Sequence, residues 1–373
     1  MENIKKYPIS FCSIVLILLI SILDISNTDI EFSLFENRTL AQKPKFYYDD
    51  FKSGRYFKNY ERYINDQFLL RNSWINVKSL VEFSLGKKEN NGVIYGDNNF
   101  LFDKFEKVDE SNLAKNINSF KNFIASYNSN YNLMIIPESF SIYKELLPAG
   151  INLVDEIQYI NSIYSEFNKI DKVKTINVVD TLNSNKDCYI YYKTDHHWTS
   201  LGAYLAYKEF ANINNIEPVD INNLNENRVD DFLGTYFSKA KNFNAKEDYI
   251  LYYNNDNNIN VNIDGVEVDE LNDNSKWSSS DKYSAFLRGN NGLTTIKNNS
   301  IKDNSKILVI KDSFANSFIQ FLINNYKEVC VVDLRSFIGS FNDFINENDF
   351  DTVLIMYSFK NLVNDVNISR IKY

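Results

Sequence analysis

Five short apolar runs constrain this chain more than any other feature: "YNLMIIP" (131–137), "TINVVD" (175–180), "KILVI" (306–310), "EVCVVDL" (328–334) and "DTVLIMY" (351–357). Continuous apolar runs of this length read as strands buried on both faces rather than as half-exposed strands, which would alternate. Between and before them, apolar residues recur at helical spacing over 109–127, 155–167, 199–212 and 314–324. Strands alternating with amphipathic helices predict an α/β fold, a mostly parallel sheet with helices on both faces. Ligands of such sheets bind beyond the carboxyl ends of the strands.

The flanking regions read differently. From 49 to 85 the spacing predicts two amphipathic helices, interrupted near Leu70 to Asn72, and "GVIYGDNNFLFD" predicts a β-hairpin turning at "GDNN". Between 216 and 304 the chain is rich in Asn and Asp, with short pieces such as "YILYYN", "INVNID" and "GVEVDEL". This is read as a β-rich insertion with long loops.

The beginning is a separate object. An apolar run extends from Ile9 to about Leu23 behind Lys5 and Lys6, and no small-residue cleavage site follows in "SILDISNT". Those features predict an uncleaved signal anchor, with the lysines on the cytoplasmic side and the remaining chain outside. The expected organisation is therefore 1–28 as cytoplasmic tip and anchor, 29–90 as linker and amphipathic helices, and 91–373 as the α/β domain carrying the 216–304 insertion.

Composition excludes some classes. The net charge of −9 provides no basic footprint for nucleic acid. No Cys/His spacing points to a metal and no glycine loop to a nucleotide cofactor, so neither is expected. Of three cysteines, Cys12 lies at the start of the apolar run, and Cys188 and Cys330 are expected as single buried thiols.

Both histidines of the chain, His196 and His197, stand together in "YKTDHHWTSLGAY". The motif follows the strand-like "CYIYY" and precedes a helix capped by Thr199 or Ser200. If the chain is extended there, Asp195 and His197 point to one side and His196 to the other. An aspartate beside a histidine fixes its tautomer and stabilises the imidazolium, which supplies a general base. A purely structural histidine pair packed under Trp198 is the alternative. The second stretch is "ILVIKDSFANSF", where Ser313 stands at a strand end and a helix start, a place where free N–H groups can hold an oxyanion. A lone serine there reads first as a helix cap; with an Asp-x-His in the same sheet, the triad Asp195, His197, Ser313 becomes the stronger reading.

These residues carry a resemblance. "FENRTLAQKPKF", "NGVIYGDNNFLF", "TDHHWTSLGAY", "KYSAFLRGNNGLTTI" and "KDSFANSF" resemble the DHHW protein family and, beyond it, the alginate O-acetyltransferase group with its permuted SGNH-hydrolase-like domain. The resemblance implies a serine nucleophile at Ser313, served by His197 and Asp195, and Arg335 and Asn290 as substrate or oxyanion residues. Lys311 stands where GDS-type sites have glycine. The implied activity is an extracytoplasmic O-acetyltransferase acting on an exported or cell-surface polysaccharide. A multi-pass membrane acyltransferase is implied as the acetyl donor's partner. An esterase using the same triad and a non-catalytic glycan-binding scaffold are the alternatives.

Overall fold

In the computed structural model the described residues are 7–33, 35–36, 38–242, 244–254 and 258–372. Lys5 and Lys6, on which the expected orientation of the anchor rests, lie outside them. The chain divides into two compact units, Met1–Lys87 with Lys241–Phe243, and Lys88–Ala240 with Asn244–Tyr373.

The first unit is helical. Helix α1 (Pro8–Ile25) carries a proline in its first turn, where no intrahelical N–H is needed, and has no buried residue. It is long and apolar enough to cross a membrane. Where two helices were expected there are three pieces: a single turn at Tyr48–Lys52, then α2 (Arg55–Gln67) and α3 (Arg71–Ser84). The breaks fall at Gly54 and Leu70, both in left-handed backbone (φ 76° and 56°) that cannot continue a helix.

In the second unit the helices that matter are α4 (Glu110–Ser126), α5 (Glu156–Phe167), α6 (Ser200–Ile213) and α7 (Ala315–Leu322). Asp109, Asp155 and Thr199 cap α4, α5 and α6, each accepting from a first-turn amide. The main sheet has eight strands: β1 (Asn130–Ile136), β2 (Val173–Ile176), β3 (Ile259–Ile263), β4 (Val266–Val268), β5 (Leu293–Asn298), β6 (Lys306–Lys311), β7 (Glu328–Val332) and β8 (Thr352–Ser358), in the order β4-β3-β5-β7-β6-β8-β1-β2. From β7 to β2 every pairing is parallel, whereas β4, β3 and β5 add an antiparallel edge. Strands β6 and β8 are buried along almost their whole length, so both faces are covered. Helices α6 and α7 pack on each other in one group, and α4 packs on Phe359–Asn364 and Asn367–Lys372 in another.

Much of 216–304 joins this frame, because β3, β4 and β5 all come from it. Asn225–Phe232 and Asp248–Asn254 pair separately as an antiparallel ladder. The hairpin at 93–103 is present, Val93–Tyr95 pairing with Leu101–Asp103.

Three expectations need correction. "CYIYY" is not a strand of the sheet; Tyr191 makes only an isolated bridge to Trp198, because the chain turns back on itself between them. The "TINVVD" strand stops at Ile176, where the Asn177 side chain accepts the Val179 N–H and starts the helix Val179–Ser184. Cys188 is exposed at the turn closed by its N–H onto the Asn185 carbonyl, while Cys330 is buried in β7; both are free thiols.

Candidate active site

The Asp195–His197 loop is a tight fold-back held from behind by one carboxylate. Asp248 accepts the Lys193 N–H (3.0 Å), the Thr194 N–H (2.7 Å) and the Thr194 hydroxyl (2.6 Å). The Tyr189 hydroxyl donates to the same carboxylate at 2.5 Å. Burial is costly for such a group unless its lone pairs are filled, and here four donors fill them. The loop closes at Trp198, whose indole N–H donates to the Phe314 carbonyl (3.0 Å) and the Ser317 hydroxyl (3.1 Å). The tryptophan thus ties the histidine loop to the start of α7.

Ser313 follows β6. Asp312, just before it, accepts the Phe314 N–H through one oxygen, and the Ser358 N–H and Asn361 side chain through the other. This fixes the turn between β6 and α7 against the end of β8. The Ser313 side chain faces back to the histidine loop, and the residue keeps 8% exposure.

The three predicted residues converge. His197 Nδ1 lies 2.6 Å from Asp195 Oδ1, and His197 Nε2 lies 2.7 Å from Ser313 Oγ. An ionised Asp195 accepts a hydrogen bond from Nδ1–H, which leaves Nε2 as the acceptor for the serine hydroxyl. Burial would raise the Asp195 carboxyl, yet the two imidazoles and the Thr235 N–H (2.7 Å) hold it well below the usual range. The His197 ring stacks on Tyr283 at 3.6 Å between centroids and 6° between planes. The Tyr283 hydroxyl in turn donates to the Ser313 carbonyl at 3.1 Å.

His196 is not turned away as an extended chain would have it. The segment bends, so its ring lies 3.7 Å from that of His197 and its Nδ1 lies 2.7 Å from the Thr235 hydroxyl. Burial and the neighbouring imidazole hold its pKa below the ordinary histidine value. The donor atoms of Asp195, His196 and His197 lie within 4.8 Å of one another. Both nitrogens of His197 are, however, engaged by Asp195 and Ser313, and a cation there would displace the hydrogen bonds just described.

Arg335 and Asn290 belong to a neighbouring polar cluster, and among the described residues neither hydrogen-bonds to the triad. Arg335 pairs with both oxygens of Asp333. Asn290 Oδ1 accepts from Lys311 Nζ (2.8 Å) and from the Asn316 amide (3.1 Å). The lysine at the usual glycine position is therefore buried and occupied, its ammonium also 2.7 Å from Asn316 Oδ1 and 3.5 Å from Asp333. Burial pushes it down to about 8, against the pull of Asp333.

Gly234, Thr235, Asp248 and Tyr283 escaped the sequence reading. All lie in 216–304, where no periodicity marks them. Gly234 had one visible signal, its type: a Cβ there would meet the Asp195 carboxylate at 2.4 Å.

The comparisons agree with this architecture. Residues 82–332, about two thirds of the chain, match the DHHW protein family. The chain belongs to that family. A DHHW family protein of Eubacterium siraeum superposes with a TM-score of 0.63 at 25% identity, covering 76% of this chain and 95% of its own. Bacillus cereus PatB1, solved with a sulfonyl adduct, superposes with a TM-score of 0.60 at 20% identity, covering 75% of this chain and 98% of its own. At that identity the second likeness speaks for the fold alone. No curated protein matches.

Proposed function

We propose that this DHHW protein is an extracytoplasmic O-acetyltransferase that moves acetyl groups onto a polysaccharide through an acyl-serine at Ser313. The observation that carries the reading is the unbroken relay from Asp195 through His197 to Ser313, at 2.6 and 2.7 Å. Such spacing is what general-base activation of a hydroxyl needs.

In the first half-reaction Ser313 Oγ attacks the carbonyl carbon of an acetyl ester, and His197 Nε2 takes the serine proton. The tetrahedral oxyanion forms beside the Ser313 N–H, since the next amides of the turn are taken, Phe314 by the Asp312 side chain and Ala315 by the Asp312 carbonyl. Collapse breaks the bond to the donor oxygen, which leaves with the proton from His197. In the second half a sugar hydroxyl gives its proton to His197 Nε2 as its oxygen attacks the acetyl-serine carbonyl; collapse breaks the bond to Ser313 Oγ, which leaves with the proton from His197. Asp195 stays ionised throughout and steadies the imidazolium. Neither half calls for a metal or a redox cofactor. Arg335 and Asn290 take substrate-side roles in this proposal, with Lys311 and Asp333 holding them. Helix α1 serves as the anchor that keeps the site beside a membrane-bound acetyl donor system.

The test uses the full chain in detergent with an aryl acetate, with and without oligosaccharide acceptors, and a sulfonyl fluoride probed by mass spectrometry. Sulfonylation of Ser313 and acetylated sugar are the expected results. Acetate release without sugar acetylation replaces the transferase with an esterase. Absence of both sulfonylation and acetate release replaces it with a glycan-binding scaffold.

A further inference from the structure

The first unit carries an apolar surface that the acyl-transfer reading does not use. In α2, Phe57, Tyr60, Ile64 and then Phe68 recur at intervals of three and four and are all exposed. In α3, Trp74, Val77 and Val81 form a second exposed stripe, opposite buried Ser79. An exposed aromatic group precedes them: Phe46 packs on Phe51 at 5.7 Å, and Phe51 on Phe57 at 5.2 Å. Stripes of this kind on a soluble unit are normally covered.

Charge and attachment say what covers these. Between 43 and 62 the basic residues are Lys43, Lys45, Lys52, Arg55, Lys58 and Arg62, against the acids Asp49, Asp50 and Glu61, in a chain whose net charge is −9. Aromatic side chains interleaved with Lys and Arg are the composition of helices that lie in a membrane interface. The attachment is direct. Near the end of α1 the Asp24 carboxylate accepts the Leu69 N–H at 2.8 Å, in the link between α2 and α3. Five residues after α1, the Ile30 N–H donates to Gln67 Oε1 at 2.9 Å, and Gln67 Nε2 donates back to the Ile30 carbonyl. A bilayer spanned by α1 would therefore have its surface at the α2–α3 link.

We infer that α2 and α3 form an in-plane platform, seated through Phe57, Tyr60, Ile64, Trp74 and Val77 in the interface of the bilayer that α1 crosses. The occupant is lipid, with anionic headgroups favoured by the basic residues. The inference rests on α1 being a membrane span, and it is independent of the triad chemistry.

Trp74 is a built-in reporter. It is 55% exposed, while Trp198 and Trp277, the other two tryptophans, are 0% and 8% exposed. The full chain is reconstituted in phosphatidylcholine–phosphatidylglycerol vesicles with acyl chains brominated near the headgroup, and retention is checked by alkaline extraction. The expected result is loss of the Trp74 part of the emission, absent in Trp74→Phe, with protection from acrylamide. The double variant Phe57→Glu/Ile64→Glu should restore the emission and the acrylamide quenching while leaving sulfonylation of Ser313 unchanged. A chain extracted by alkali overturns the span and the platform together. A retained chain whose Trp74 is quenched by acrylamide and not by bromine overturns the platform alone. Protection of Trp74 only in native membranes, never in pure lipid, overturns it in favour of a protein partner.

Discussion

His197 Nε2 and Ser313 Oγ stand 2.7 Å apart although 116 residues separate them in the chain. What joins them is a set of clamps rather than one sheet register: Asp248 behind the loop, Trp198 onto Phe314, and Tyr283 under the imidazole. Replacing Ser313 by Ala should abolish sulfonylation, and His197→Asn should slow it by roughly 10²–10⁴-fold, the usual size of general-base assistance. His196→Asn loses one hydrogen bond to Thr235. It should cost about 1 kcal/mol of stability and leave the labelling rate within a few-fold. Labelling kinetics of the three variants, each checked for folding by circular dichroism, decide whether the assignment of the two histidines is right.

Gly234 should tolerate no side chain. A Cβ would sit 2.3 Å from Asp195 Cβ and 2.4 Å from its Oδ2, while Thr235, the next residue, donates its N–H to that same oxygen. Gly234→Ala must push either the carboxylate or the loop aside, a strain of about 1–3 kcal/mol. The expected signature is a large loss of kcat on an aryl acetate with little change in KM. An unchanged kcat would mean that Asp195 orients nothing that matters.

The sequence carried the layered part of this protein and lost the irregular part, for a physical reason. Strands β1, β6, β7 and β8 are buried on both faces, so their apolar runs cannot be mistaken for anything exposed. The caps Asp109, Asp155 and Thr199 mark helix starts with local chemistry and are equally visible. The loop from Tyr191 to Trp198 has aromatic, strand-like composition, yet its shape is set by Asp248, more than fifty residues away. No local pattern encodes that. The convergence of Asp195, His197 and Ser313 was legible from residue types, whereas the direction of His196 was not, because it depended on the bend. Arg335 and Asn290 were legible only through resemblance, and their contacts run to Asp333, Lys311 and Asn316.

Glu156 should give the protein a falling stability between acid and neutral pH. Its side chain is buried, Oε2 accepts from the Glu138 N–H and the Ser141 hydroxyl, and Oε1 has no hydrogen-bond partner among the described residues. Burial raises it to about 8 from an ordinary 4.5. The folded state therefore holds a proton that the unfolded chain releases between those values, so stability is full below about 4.5 and is lost as pH rises through 8. Glu156→Gln keeps a neutral amide in place and should flatten that slope, making the variant the more stable protein at pH 8. Urea midpoints across pH 5–8 read the difference. Parallel slopes for the two proteins would assign the proton elsewhere, with Glu138, also raised by burial, the first alternative.

Lys311 should behave with the opposite sign in a higher window. Its side chain, 1% exposed at the end of β6, donates to Asn290 Oδ1 and Asn316 Oδ1 and faces Asp333 at 3.5 Å. Removing it in Lys311→Met takes the ammonium donor from Asn316 Oδ1 and leaves Asn290 Oδ1 with the Asn316 amide and Asp333 with Arg335, a loss of about 2–4 kcal/mol at neutral pH. The folded pKa of about 8 is below the ordinary 10.5, so between these values the native protein releases a proton that the unfolded chain still binds. Wild type should therefore gain stability relative to Lys311→Met as pH rises above 8, by up to ~1.4 kcal/mol per unit. The neutral amine keeps two N–H donors, enough for both asparagines, so ester turnover by wild type should hold through this window. Lys311→Met should instead lose turnover at every pH, because Asn290 and Asn316 are no longer oriented. A variant that is stable and fully active would show that the lysine at the glycine position only fills space.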